Sequence, residues 1–161
     1  MGDGMKVATR FEPALCVRDF DRMLGFYRDT LGMSVFSIDD ISAAQSSAAL
    51  LCNSGYRVAR LETSGHDRLK LLAPVDSCAR PAQVPFALSR GGFAYLTFIV
   101  PDLAHTMDRV RSAGGKITTG DKPVDFRPGV VKLAFVQDPE GNLLEFVERN
   151  DLAQYRPEEF S

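Results

Sequence analysis

The sequence predicts an α+β fold built from two copies of one βαβββ module, and three observations predict it. Residues 12–32 read EPALCVRDFDRMLGFYRDTLG and residues 95–115 read YLTFIVPDLAHTMDRVRSAGG, a near-repeat. In each copy an alternating apolar run ends in Val-x-Asp-(Phe/Leu), an amphipathic stretch follows, and a Gly closes the unit thirteen residues after the Asp. Each copy is then followed by further segments of strand length, and a stretch rich in Pro and Gly separates the two. In a chain made from two copies of a module, residues at matching places merit attention first. Glu12 and Tyr95 are such a pair, each seven positions before its Asp.

In chain order, residues 12–17 alternate and read as a strand, with Pro13 placing it at an edge or a strand start. Asp19 is placed as a helix N-cap. Phe20, Leu24, Tyr27 and Leu31 follow at helical spacing, and Gly32 is the stop. Residues 34–38 form a second strand, and the Ala-rich residues 41–52 are expected to be a helical insertion before Gly55. Residues 56–62 and 69–72 are strands joined by a turn at residues 64–67, which completes the first module over 10–73. Residues 74–92 are the linker. The second module, 93–149, repeats the order: strand 93–100, helix 102–113 with Leu103, Met107 and Val110 apolar, and a short strand near Ile117. A loop over 120–129 precedes strands 130–137 and 143–148, joined by a tight turn at Asp138-Pro139-Glu140-Gly141-Asn142. The tail, 150–161, is polar with Pro157 and is expected to be only partly ordered.

Bulk properties narrow the function classes. The 161 residues, 45% of them hydrophobic, suffice for one domain with a duplicated core and are short for two independent ones. A net charge of −2 and a pI near 5.7 leave no electrostatic footprint for nucleic acid or anionic membrane. No apolar run reaches membrane-spanning length, no secretory leader is expected, and the location predicted is the cytoplasm. Cys16, Cys52 and Cys78 are odd in number and widely spaced, which suits reduced thiols rather than a disulfide framework or a zinc site.

The paired modules, the Val17-Arg18-Asp19-Phe20-Asp21 opening with Gly25-Phe26-Tyr27 and Leu31-Gly32 after it, the Pro101-Asp102-Leu103 helix start, and the closing run from Asp138 to Glu145 together resemble the vicinal oxygen chelate superfamily. That group holds glyoxalase I, methylmalonyl-CoA epimerase, extradiol dioxygenases, fosfomycin-resistance transferases and bleomycin-binding proteins. The resemblance covers residues 10 to 149 and implies a single domain whose two sheets curl into a cup, commonly within a homodimer. It is specific for the fold and weak for the reaction, because one scaffold hosts many chemistries.

Metal-using members of the superfamily hold the ion on four cup-facing seats, two per module. By resemblance these fall on Glu12, where His or Gln is usual; Lys70, where Glu or Gln is usual; Tyr95, where His is usual; and Glu145, which matches. A protonated Lys has no lone pair for a metal, and His66 and His105 both lie away from the seats, so no metal and no cofactor is expected. In the leading expectation Lys70 replaces the metal between two carboxylates. Glu145 or Glu12 is a general base, Lys70 holds a developing enolate oxygen, and Tyr95 donates a hydrogen bond or returns the proton. The activity expected is a metal-free lyase or isomerase, of epimerase or cyclase type, on a small oxygenated carbon acid.

Two alternatives stay open. One is a small-molecule binding protein of the bleomycin-resistance kind, in which Lys70 is only an ion-pair partner and Tyr95 a pocket wall. The other is a divalent-metal-dependent glyoxalase-like enzyme using Glu12, Glu145 and Tyr95. By parity with the seats, Cys16, Leu72 and Thr97 are expected to line the cup with Leu143 and Val147. Phe126 and Arg127 lie in the loop before a strand, where the resemblance places a pocket rim, and Arg127 is a candidate for a substrate carboxylate or phosphate. Arg57 and Arg60 are on opposite faces of their strand; Arg57 is taken as the substrate-binding candidate, with the inward-facing one of the two left open. The partner expected is a small molecule, with no nucleic acid and no membrane.

Overall fold

In a computed structural model of the chain, residues 10–84 and 86–160 are described. They divide into two compact units. The first comprises the described residues up to Phe20 and Gly32–Cys78, and the second comprises Asp21–Leu31 and the described residues from Ala79 onward.

The first unit is a four-stranded mixed sheet of β1 (Ala14–Cys16), β2 (Ser34–Ile41), β3 (Tyr56–Glu62) and β4 (Arg68–Pro74), in the order β1-β4-β3-β2. β1 runs parallel to β4, and the other pairs are antiparallel. Pro13 lacks an N–H, yet its carbonyl accepts from the Lys70 amide at 2.9 Å, so the edge strand begins where Pro is tolerated. Val17, Val58, Ala59, Leu61, Leu69 and Leu71 are buried. The registers Leu61↔Leu69 and Ala59↔Leu71 put four of these on one face. The helix expected over 41–52 is shorter. Ile41 continues β2, Ser42 caps the helix in a reciprocal capping box with Gln45, and α2 spans only Ala43–Ala48. Ser46 then takes the Cys52 amide at 3.2 Å and turns the chain back toward Gly55. Gly55 has φ +78°, and a Cβ there would lie 2.6 Å from the Ile41 carbonyl oxygen, so the close approach admits only glycine.

The second unit has a five-stranded sheet of β5 (Leu96–Ile99), β6 (Lys116–Ile117), β7 (Val124–Arg127), β8 (Val131–Gln137) and β9 (Leu143–Arg149), ordered β5-β9-β8-β6 with β7 also on β8. The helix α3 (Leu103–Ser112), capped by Asp102, packs on this sheet through the buried Leu103, Met107 and Val110. The helix α1 (Phe20–Gly25), continued by a π-helical turn at Phe26–Thr30, groups almost entirely with this unit although it arises in the first module. The reading of an ordinary helix on Phe20, Leu24, Tyr27 and Leu31 is corrected here. The wider turn buries the consecutive Phe26 and Tyr27 along with Met23 and Leu24, and leaves Phe20 and Leu31 half-buried.

Tyr27 explains where α1 is held. Its hydroxyl donates to the buried Asp138 carboxylate at 2.9 Å. Asp138 also accepts from the Asn142 side chain at 2.8 Å, the Asn142 amide at 2.9 Å and the Glu140 amide at 3.0 Å. Burial, with Asp138 nearby, pushes the Tyr27 hydroxyl well above its usual range. For Asp138 burial raises the carboxyl more than its hydrogen bonds lower it. The turn at 138–142 is thus a tight connection, as expected, and also the anchor of α1. Two further differences concern the loop and the tail. Residues 124–127 are a strand rather than open loop, because β8 offers them a free edge. The tail is ordered into α4 (Leu152–Tyr155).

Candidate functional site

The candidate residues lie in two clusters, one in each unit. In the first unit, the cross-strand registers Ala14↔Lys70 and Arg60↔Lys70 define the face that carries Lys70, opposite to the buried leucines. Arg68 and Leu72, two residues either side of Lys70 on β4, share that face, as do Cys16 beside Leu72 and Glu62 beside Arg68. Glu12, just before β1, reaches the same cluster. Its carboxylate lies 3.4 Å from Lys70 Nζ through one oxygen and 3.6 Å from Arg68 through the other. Arg68 is further held by Glu62 at 2.9 Å, and its guanidinium lies over the Phe36 ring, 3.7 Å from the centroid. His66 contacts the other Glu62 oxygen at 3.0 Å, and the His66 and Arg68 hydrogen bonds hold the Glu62 carboxyl below its usual range.

Each of these charged side chains except His66 is about a third exposed or less. Solvent screens partly exposed pairs of this kind, so their value lies in where they place charge rather than in fold stability. Arg60 completes the face. It donates to Asp39 at 2.6 Å and to the Ser37 hydroxyl at 3.1 Å. Arg57 is on the opposite face, paired with Asp40 at 2.9 Å and stacked over the Phe20 ring. The sequence leaves open which of Arg57 and Arg60 faces inward; register puts Arg60 on the Lys70 face and Arg57, the substrate-binding candidate, on the other.

In the second unit, Thr97 and Phe135 flank Glu145 on the neighbouring strands. The Thr97 hydroxyl donates to Glu145 at 2.7 Å. Tyr95, one residue before β5, meets Phe135 edge to face with ring centroids 5.0 Å apart. Val147 and Leu133 lie further along the same face and are buried with Val131. Phe126 is exposed on β7. Arg127 ends β7 rather than lying in an open loop, and its exposed guanidinium pairs with Asp151 in the tail. Arg149, on the same face of β9 as Glu145, also pairs with Asp151.

Sequence reasoning missed Arg68, Glu62, Phe135 and Arg149, and it named Arg60 without choosing it over Arg57. Arg68 and Arg149 carried a usable signal, since each has the parity of a named residue on its own strand.

The superfamily implies a divalent metal on the four seats, and the donor chemistry of the first unit tests it. Both oxygens of Glu12 face cations, and its partner seat is an ammonium with no lone pair to give. A metal ion placed there would meet two positive charges and a single engaged carboxylate. Glu12 and Lys70 do not fit a transition-metal site.

A duplicated βαβββ architecture with one mixed sheet in each unit defines a class of α+β folds. Within that class, the chain belongs to the Glyoxalase/Bleomycin resistance protein/Dioxygenase superfamily, whose family model matches residues 10–146. It is 29% identical over 134 residues to a lactoylglutathione lyase of Haemophilus influenzae, covering 83% of this chain and 87% of that protein. A probable lactoylglutathione lyase of Synechocystis is 26% identical over 132 residues, covering 82% and 88%. Among solved structures, a glyoxalase family protein from Bacillus cereus superposes with a TM-score of 0.78 at 16% identity over 92% of this chain and 99% of its own. Glyoxalase I from Zea mays gives 0.65 at 22% identity, over 86% of this chain and 43% of its own. These likenesses agree with the α+β fold of two mixed sheets and with a glyoxalase-like family. Among the described residues, no helix is long and apolar enough to cross a membrane.

Proposed function

We propose that the protein is a glyoxalase-like lyase or isomerase that enolises a small oxygenated carbon acid without a metal. The observation that carries this reading is the double engagement of Glu12 by Lys70 and Arg68, which puts cationic charge where related enzymes would need a metal ligand. Lys70 supplies electrostatic stabilisation of a developing enolate oxygen, with Arg68 holding Glu12 so that it does not neutralise the ammonium alone. Glu145 serves as the general base. Thr97, donating to one of its oxygens, sets its orientation and leaves the other for a substrate proton. Tyr95 is positioned by Phe135 to donate a hydrogen bond or return the proton. Cys16, Leu72 and Thr97 contribute substrate contacts in this reading.

S-lactoylglutathione, the compound in the relatives' names, is the first substrate to test, because its lactoyl C2–H lies next to a thioester carbonyl. The chelator-treated protein is incubated with it in deuterated water and loss of the C2–H signal is followed by proton NMR. Exchange is expected in the wild type, reduced at least about 100-fold in Glu145→Gln and in Lys70→Met. Exchange that appears only after a divalent metal is restored, or that survives both substitutions, sinks the metal-free mechanism. Tight stoichiometric binding with no exchange points instead to a sequestering protein.

A further inference from the structure

Away from Lys70 and Glu12, the second unit gathers two guanidinium groups on one carboxylate. Arg149, at the end of β9, grips Asp151 through two hydrogen bonds, Nε to Oδ1 at 2.9 Å and Nη2 to Oδ2 at 3.1 Å. Arg127, at the end of β7, donates to the same Oδ2. The Tyr155 ring closes over the Arg149 guanidinium, 3.6 Å from ring centroid to Cζ. Arg149 is mostly covered, with 14% of its side chain exposed, whereas Arg127 is 55% exposed. A fork of two arginines, one roofed by an aromatic ring, is the arrangement that recognises planar carboxylates and phosphates, because each guanidinium presents paired donors in a fixed plane.

Asp151 fills that fork from within the chain. It sits two residues beyond β9, at the start of the four-residue α4, a segment tied back by the Asn150 amide to the Val130 carbonyl at 2.9 Å and by the Asn150 side chain to the Gly129 carbonyl at 2.9 Å. The two arginines hold its carboxyl below the usual range, Arg149 contributing more than Arg127. Here two cations from two strands converge, and the covered one lies on the Glu145 face of β9, four residues along, a span of about 13 Å at strand rise.

We propose that Arg127 and Arg149 form an anion-binding subsite for a carboxylate or phosphate group of a small-molecule ligand, and that Asp151 is an internal mimic of that group which the ligand displaces. A tethered carboxylate competes at high effective concentration, and the apparent affinity for an external anion falls by the fraction of molecules in which Asp151 is seated. The inference rests on the second unit alone and does not depend on the enolisation chemistry.

The test is binding, read without turnover. The full chain, labelled with nitrogen-15, is titrated separately with inorganic phosphate and with acetate against sodium chloride at matched ionic strength. The readouts are the Arg127 and Arg149 Nε–H resonances and the Asn150 amide. Saturable shifts with phosphate or acetate and not with chloride are expected, tightening at least about tenfold in Asp151→Asn, which keeps the side-chain shape but removes the competing charge. They are expected to vanish in Arg127→Gln, a change at an exposed side chain that leaves the amide spectrum folded. Which of the two anions saturates identifies the group recognised. Shifts reproduced by chloride, or an Asp151→Asn protein that stays folded yet binds neither anion more tightly than wild type, would overturn the proposal and leave Asp151 as a tail anchor.

Discussion

Arg68 decides what Glu12 is free to do. It shares its charge between Glu12 and Glu62 while its flat face rests on Phe36, so Glu12 meets Lys70 with one oxygen and an immobilised guanidinium with the other. Glu62 is the fixed point of this chain of charge, and its depressed pKa makes it a measurable one. A carboxyl whose folded pKa lies below its unfolded value contributes stability that is present above the ordinary carboxylate range and is lost as pH falls through the folded value. Thermal midpoints of the wild type and Glu62→Gln are therefore expected to differ most near neutral pH and to converge on acidification. A gap that stays constant down to acid pH counts against the His66–Glu62–Arg68 link. At this scale the sequence was partly legible. The superfamily resemblance named Glu12, Lys70 and Glu145, and strand parity with those seats added Thr97, because a period of two needs no partner strand. It did not separate Arg60 from Arg57, since facing depends on register, nor did it find Asp151, since the path of a polar tail leaves no periodic trace.

Elements were legible where pattern and length agreed. β3 spans the residues that alternation marks, and α3 lies within its capped run. Departures came from side chains competing for the backbone. Ser42 ended β2 and opened α2, Ser46 closed it, and β8 drew residues 124–127 into a strand. The π-helical turn after α1 carries the adjacent buried aromatics Phe26 and Tyr27. The anchor of that turn is the Tyr27–Asp138 hydrogen bond. Tyr27→Phe removes one of four donors to Asp138 and is expected to cost about 1–2 kcal/mol by chemical denaturation. Asp138→Ala leaves a buried hydroxyl and the turn donors unsatisfied, and a cost of roughly 3 kcal/mol or more is expected. Equal costs for the two would show that the carboxylate matters only through Tyr27.

For the molecule as a whole, the duplication was plain in the near-repeat, but the boundary between compact units does not follow it. Sequence places α1 with β1 to β4; the fold places it with α3 and β5 to β9, held by Asp138 and by Arg109, whose guanidinium donates to the Asp29 carbonyl. No pattern of apolar residues reveals this, because a buried helical face looks the same whichever sheet receives it. Native-state hydrogen exchange provides the check. The α1 amides are expected to open with the free energy of β8 and β9 rather than that of β3 and β4. Opening of α1 together with β3 and β4 would contradict the division.

The placement of α1 also bears on inheritance. A chain that arose by doubling a module would ordinarily keep that module as its unit of exchange, open to being copied, lost or recombined at the linker. Here the first half carries the helix whose Tyr27 hydroxyl satisfies a buried carboxylate in the second half, so a crossover between residues 74 and 92 would deprive the second unit of its own helix. The smallest piece of this chain that recombination can move intact is therefore the pair.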